Sequence, residues 1–282
     1  MIQVSDLSFS YPGQTEVAIR GLDFSIAAGE IFGFLGPSGA GKTTTQKILF
    51  KLLTGYTGSA LIDGKEVRDW DIDLYHRIGV SFELPNHYLK LTALENLDFF
   101  GAFYQKHYRT AMELLAMVGM ENAANQKVGA FSKGMKMRLN FVRALQHDPE
   151  ILFLDEPTSG MDPANAHLIK NLIRQLQQEG KTIFITTHQM HDAQELCDRV
   201  AFLVDGRIRA LDTPQALQLA YSNKTVEVHF REGDLVKSYG LNGLGANEEF
   251  LQDLQQMEIV TIHSREASLD AVFMEVTGKS LV

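Results

Sequence analysis

The sequence predicts an α/β protein. A parallel sheet lies at its centre, preceded by an antiparallel β region, interrupted by a helical region and followed by a small α+β domain. Three observations predict this. Four short apolar runs, Ile31–Leu35, Ile151–Leu154, Thr182–Thr186 and Val200–Val204, are separated by helical stretches, the pattern of a parallel sheet covered on both faces. A glycine-rich loop, Gly36 to Thr43, sits between the first of these runs and a helix start at Thr44–Leu49. The pattern changes near Thr213-Pro214, beyond which short alternating strands and short helices follow.

Taken in order, residues 2–30 read as short strands, with Val4, Leu7 and Phe9 as apolar side chains and turns at Pro12-Gly13 and Ala28-Gly29-Glu30. Gly58 to Arg68 reads as a strand pair closed by the two-residue turn Asp63-Gly64. From Thr92 to Asp148 the spacing is helical. Leu94, Leu97 and Phe100 repeat every three or four residues, as do Met112, Leu115 and Val118, and Thr92 with Glu95 makes a capping box. A helix over 164–179 ends at Gly180. Beyond Pro214 come a helix (Gln215–Ala220), a strand (Val226, Val228, Phe230), a polar stretch with several glycines, a second strand (Ile259, Val260, Ile262) and a closing helix with Leu269, Val272, Phe273 and Val276 on one face. The expected domains are 1–213, with a helical subdomain at about 85–148, and 214–282. No internal repeat or low-complexity tract is present in the sequence.

Composition narrows the function classes. The formal net charge of −9 argues against broad nucleic-acid binding through the phosphate backbone. Cys197 is the only cysteine, so no intrachain disulfide forms and a reducing compartment is expected. The N-terminus lacks a basic region followed by an apolar core, and no run reaches the roughly 18 apolar residues of a membrane span. The expectation is a cytoplasmic protein whose membrane association, if any, is peripheral.

Gly36-Pro37-Ser38-Gly39-Ala40-Gly41-Lys42-Thr43 fits G-x-x-x-x-G-K-[ST], the phosphate-binding loop of nucleoside triphosphatases. Its glycines let successive backbone N–H groups turn toward phosphate oxygens, and the helix N-terminus adds partial positive charge. Lys42 is placed to reach the β- and γ-phosphates, and the Thr43 hydroxyl to ligate Mg²⁺. The apolar strand Ile151–Leu154 ends in Asp155-Glu156. Asp155 at the sheet edge suits Mg²⁺, and Glu156, one residue further, suits a general base for the attacking water.

Phe131-Ser132-Lys133-Gly134-Met135, about twenty residues before Asp155, resembles the signature segment of ATP-binding cassette (ABC) ATPases, Leu-Ser-Gly-Gly-Gln. Ser132 and Gly134 match it; Phe131, Lys133 and Met135 do not. The resemblance implies two cassettes enclosing two ATP molecules head to tail, with Ser132 and Gly134 closing on the γ-phosphate of the opposing subunit. Lys133 then either adds a cation beside that phosphate or is a solvated loop lysine. More of the pattern follows in order. Tyr11 stands where an aromatic residue stacks on adenine, and Gly36 to Thr44 hold the phosphates. Ser159-Gly160-Met161-Asp162 resembles the loop that crosses the dimer interface, and His188 the histidine that contacts the γ-phosphate. His188 and His191 share an i, i+3 spacing, but no third metal ligand is evident in the sequence.

The family's glutamine at the end of the strand entering the helical region is replaced by Glu83, after Ile78-Gly79-Val80-Ser81-Phe82. A carboxylate there suits Mg²⁺ as a charged donor. Phe82, Leu84, Tyr88 and Leu89 form either a socket for a helix of the membrane subunit or part of the helical subdomain's core. Residues 267–278 resemble the closing segment of ABC-2-type exporter ATPases. The resemblance therefore implies an ATP- and Mg²⁺-dependent ATPase subunit that pairs as a homodimer or with a second cassette. It would work on the cytoplasmic face of the membrane with a separate permease and without nucleic acid. The alternatives are an importer subunit, a soluble ABC ATPase acting on ribosomes or DNA, and a regulatory cassette with little turnover.

Overall fold

The computed structural model describes residues 1–104, 109–222, 224–231, 235–264 and 267–278. It divides after Thr213 into two compact units.

The first unit opens with β1 (Ile2–Ser10) and β2 (Val17–Ile26), an antiparallel pair, and then β3 (Ile31–Leu35). Helix α1 (Lys42–Leu49) follows the glycine loop. β4 (Thr57–Ile62) and β5 (Lys65–Glu66) form a hairpin, and Asp63 and Gly64 both take positive φ, as a two-residue turn of this hand requires. These strands make a four-stranded antiparallel sheet in the order β2-β1-β4-β5.

The short helix α2 (Asp73–Arg77) leads into β6 (Ile78–Ser81). The helical region follows as α3 (Ala93–Gly101), α4 (Ala111–Met117) and α5 (Lys133–Arg143). Thr92 and Thr110 each close a full capping box, with Glu95 and Glu113 respectively. The chain returns through β7 (Ile151–Asp155), α6 (Pro163–Gln178), β8 (Thr182–Thr187), α7 (Met190–Leu196), β9 (Arg199–Val204) and β10 (Arg207–Asp212). The second sheet runs β10-β9-β3-β8-β7-β6. Its five strands from β9 to β6 are parallel and β10 is antiparallel to β9. β3, β7 and β8 are buried along their whole length, which explains their unbroken apolar runs.

An aromatic cluster joins the two sheets. Phe24 of β2 lies 5.5 Å from Phe32, 5.0 Å from Phe34 and 6.1 Å from Phe184, between ring centroids. Burying such rings contributes roughly 2 kcal/mol or more each, so the cluster fixes the antiparallel sheet against the face of the parallel one. Cys197 follows α7 and is buried, with its sulfur against Gly33; burial pushes its thiol pKa up, consistent with a packing role.

The second unit contains α8 (Pro214–Tyr221), β11 (Thr225–Phe230), β12 (Val236–Gly240), α9 (Glu248–Gln256), β13 (Ile259–Ser264) and α10 (Leu269–Thr277). Its antiparallel sheet has the order β12-β11-β13. Val226, Val228, Phe230, Tyr239 and Phe250 form a small core. The sequence shows β11, β13 and the closing helix but not β12 or α9. The five-residue β12 carries Lys237, Ser238 and Gly240, and α9 buries only Phe250 and Asp253, too little for a periodic signal.

Candidate nucleotide site

The glycine loop leaves β3 at the edge of the parallel sheet and turns into α1. A Cβ on Gly36 would fall 2.1 Å from the Leu203 carbonyl oxygen, so only glycine fits there. Gly41 caps α1 with φ +109°, a backbone angle open to glycine alone. Lys42 Nζ donates to the carbonyl oxygens of Gly36 at 2.6 Å and Pro37 at 3.2 Å, which holds its ammonium across the mouth of the loop. Burial lowers the Lys42 pKa, opposed by the carboxylates of Glu156, Asp155 and Glu83. Tyr11, at the end of β1, bonds through its hydroxyl to Thr44 Oγ1 at 3.1 Å and packs edge-on against Phe9.

β7 delivers Asp155 and Glu156 to the same edge. Thr43 Oγ1 donates to Asp155 Oδ2 at 3.0 Å, and Thr186 of β8 donates to Asp155 Oδ1. Gln46 ties α1 to both strands through the Leu154 and Phe184 carbonyls. Glu156 leaves the strand with φ +50°, a left-handed conformation that costs a non-glycine residue about 1 kcal/mol. The turn aims its side chain along β8, where Thr187 Oγ1 donates to Oε2 at 3.1 Å and His188 Nδ1 lies 2.8 Å from Oε1. Both Glu156 oxygens are thereby held in a buried site, while the His188 side chain is half exposed.

Glu83 follows β6 and lines a cavity of about 690 Å³ together with Thr43, Lys47 and Asp155 at one end and Leu84, Tyr88, Phe100 and Arg143 at the other. The oxygens of Thr43, Asp155 and Glu83 make a hard donor set of the kind Mg²⁺ takes. Of the four residues offered as a socket, Phe82 packs into the main core, whereas Leu84, Tyr88 and Leu89 are exposed. Tyr88 lies 4.8 Å from Phe99, which with Phe103 extends the exposed aromatic surface. His87 behind it donates through Nε2 to the Lys136 carbonyl, and burial pulls its pKa down to about 4.

Ser132 caps α5, its hydroxyl accepting from the Met135 N–H at 3.2 Å. Gly134 lies in the first turn, and a Cβ there would meet nothing within 4 Å. The Lys133 side chain lies over Gly160, so it spans from the start of α5 to the loop after Glu156. Asp162 caps α6 through the Asn165 N–H at 3.0 Å, which lowers its carboxyl pKa. His188 and His191 are not brought together on a common centre. Among the described residues, His191 instead clusters with Asp192 and Glu195, whose carboxylates are held by Lys170.

Thr186 and Thr187, which hold the two carboxylates, were not singled out from the sequence. Their signal is a pair of hydroxyls at the end of an otherwise apolar strand. Gln46 is a second such residue, a buried amide inside an amphipathic helix.

A glycine loop on a helix N-terminus, beside paired carboxylates and a strand-end histidine, defines a nucleotide-binding cassette of the phosphate-loop class. Comparison places it further. Residues 19–159 match the family model "ABC transporter", and residues 224–266 match "Fluoroquinolone efflux ABC transporter C-terminal domain". The fluoroquinolones export ATP-binding protein of Mycobacterium tuberculosis (strain H37Rv) is 54% identical over 100% of this chain and 94% of its own length. The Nod factor export ATP-binding protein I of Burkholderia lata is 42% identical over 72% of this chain and 68% of its own. A solved ATP-binding cassette, in a dimeric post-hydrolysis state bound to ADP and Pi, superposes with a TM-score of 0.69 at 30% identity, covering 76% of this chain and 98% of that one. The chain belongs to the ATP-binding cassette transporter family, as the resemblance of its motifs implies. No helix among the described residues is long and apolar enough to cross a membrane.

Proposed function

We propose that this chain is the ATP-hydrolysing subunit of an ABC exporter. It works as one half of a pair of cassettes and drives a separate membrane permease from the cytoplasmic face of the membrane. The observation that carries the reading is the Glu156–His188 pair at 2.8 Å, set one residue beyond an aspartate already bonded to the loop threonine. Tyr11 stacks on the adenine, and Gly36 to Thr44 with Lys42 hold the phosphates. Thr43, Asp155 and Glu83 would hold Mg²⁺, which when bound would neutralise phosphate charge. Glu156 accepts the proton of the attacking water, oriented by Thr187 and His188, so that the nucleophile forms beside the γ-phosphate.

The second half of the site comes from another cassette. Glycine in a helix costs about 1 kcal/mol relative to alanine, and nothing among the described residues requires it at position 134. A phosphate approaching from a partner cassette supplies the reason, with the α5 N-terminus, Ser132 and the loop around Asp162 at the shared surface. The exposed surface of Leu84, Tyr88, Phe99 and Phe103, opening from the Glu83 cavity, receives the permease. The relatives named as export proteins, and the match of residues 224–266, support export over import and over a ribosome- or DNA-directed ATPase. They also support fluoroquinolones as cargo. The intact Glu156–His188 pair supports turnover over a purely regulatory cassette.

Glu156→Gln is the test. It keeps size and polarity but removes the base, so ATP turnover falls by roughly two to four orders of magnitude while ATP binding persists. Turnover near that of the unaltered chain would remove Glu156 from the assigned role.

A further inference from the structure

We propose that the C-terminal unit carries a pairing surface of its own. In this pairing the edge strand β13 joins antiparallel to β13 of a second copy of this chain, independently of nucleotide.

The two edges of the small sheet are built differently. β12 has Lys237 and Gly240 within its five residues, and Lys237 is bonded to Asp253; a lysine and a glycine are features that discourage an edge from pairing. β13, Ile259-Val260-Thr261-Ile262-His263-Ser264, has no lysine, proline or glycine. It nonetheless exposes Ile259 at 37%, Val260 at 56% and Ile262 at 48%. Six residues with three exposed aliphatic side chains, on a strand whose outer edge no strand among the described residues pairs, form a surface that folded proteins ordinarily cover.

The size of the domain points the same way. The segment 224–266 matches a family model of its own, yet among the described residues its sheet and α9 bury five apolar side chains together. The only cysteine of the chain lies outside it, so it has no disulfide. The compact unit it belongs to begins at Pro214 and also includes α8 and α10, and a unit of that size still gains stability from association.

The occupant follows from the strand itself. Centred on Thr261, antiparallel self-pairing sets Val260 of each copy opposite Ile262 of the other, Ile259 opposite His263 and Glu258 opposite Ser264. Val260 and Ile262 are two residues apart and share a face, so four aliphatic side chains meet across the two-fold axis. No like charges oppose one another, and the central residue meets its own copy. Such a contact is isologous and closes with two chains. The proposed function already requires two copies in one assembly, and this inference rests on that reading and extends it to the second unit.

The test uses the full-length chain without nucleotide, by sedimentation and by oxidation. Thr261→Cys is expected to form an intermolecular disulfide under mild oxidation, because residue 261 lies on the axis; Cys197 is buried and does not interfere. The unaltered chain is expected to sediment as a dimer, and Val260→Lys with Ile262→Lys as a monomer. Val236→Lys, on the opposite edge, is expected to remain a dimer. ATP binding by each variant confirms that the first unit is folded. A nucleotide-free monomer overturns the proposal. So does a dimer in which Thr261→Cys fails to cross-link, or which Val236→Lys disrupts instead. ATP-dependent pairing of the Glu156→Gln chain reports on the cassette reading separately, so the two can fail independently.

Discussion

Glu156 shows how much a single residue is asked to do. Its left-handed backbone angle, its buried carboxylate and its contacts to Thr187 and His188 all come from the tip of one strand and the end of the next. Thr187 is a positioning residue. Thr187→Val removes one hydrogen bond to the base without changing shape, so kcat is expected to fall on the order of tenfold with KM for ATP little changed. Steady-state kinetics check this, and a rise in KM with unaltered kcat would point to substrate binding instead. Glu83 is one of the residues at which this chain departs from its family's pattern. If its carboxylate completes the Thr43–Asp155 donor set, Glu83→Gln shifts the Mg²⁺ concentration needed for half-maximal hydrolysis more than it shifts ATP affinity. An unchanged Mg²⁺ titration removes Glu83 from the metal site. The residues of the glycine loop and the Asp155-Glu156 pair were legible in the sequence because local chain geometry dictates them. Thr186 and Thr187 were not, since what they do depends on β8 lying beside β7, a pairing of residues about thirty positions apart.

At the scale of elements, α5 is the informative helix. Ser132 caps it, Lys133 reaches over Gly160, and Gly134 sits in open space in its first turn. Gly134→Ala separates folding from function. It is expected to stabilise the chain by up to about 1 kcal/mol in denaturant unfolding. It is also expected to lower ATP turnover, because the added methyl group stands where a partner's phosphate approaches. A variant both more stable and fully active would show that α5 does not meet a phosphate. Strands buried on both faces, such as β3, β7 and β8, were readable as continuous apolar runs, and α3 was readable at its start from its capping box. Among the elements that escaped, β12 and α9 bury little and are specified by cross-strand partners such as Tyr239 with Val226 and by the Lys237–Tyr239–Asp253 bonds, which no local pattern displays.

For the whole molecule, one chain presents two half-sites. On the proposed reading, Lys42, Asp155, Glu156 and His188 make the half that binds and attacks, and Ser132 and Gly134 the half that closes over a partner's nucleotide. The motifs stand in order in the sequence, and their division into two halves is what the family resemblance implies. The assembly it implies is a property of two chains and is not written in the contacts of one. The most direct measurement is therefore a mixing experiment with two inactive variants. Lys42→Ala disables the binding half and Ser132→Arg the closing half. In a mixed pair, one composite site joins an intact loop from the Ser132→Arg chain to an intact α5 terminus from the Lys42→Ala chain. The account predicts that each variant alone hydrolyses ATP at background rate and that the mixture regains a substantial fraction of the unaltered rate. A mixture no more active than its components, or full activity in the Ser132→Arg chain alone, would contradict it.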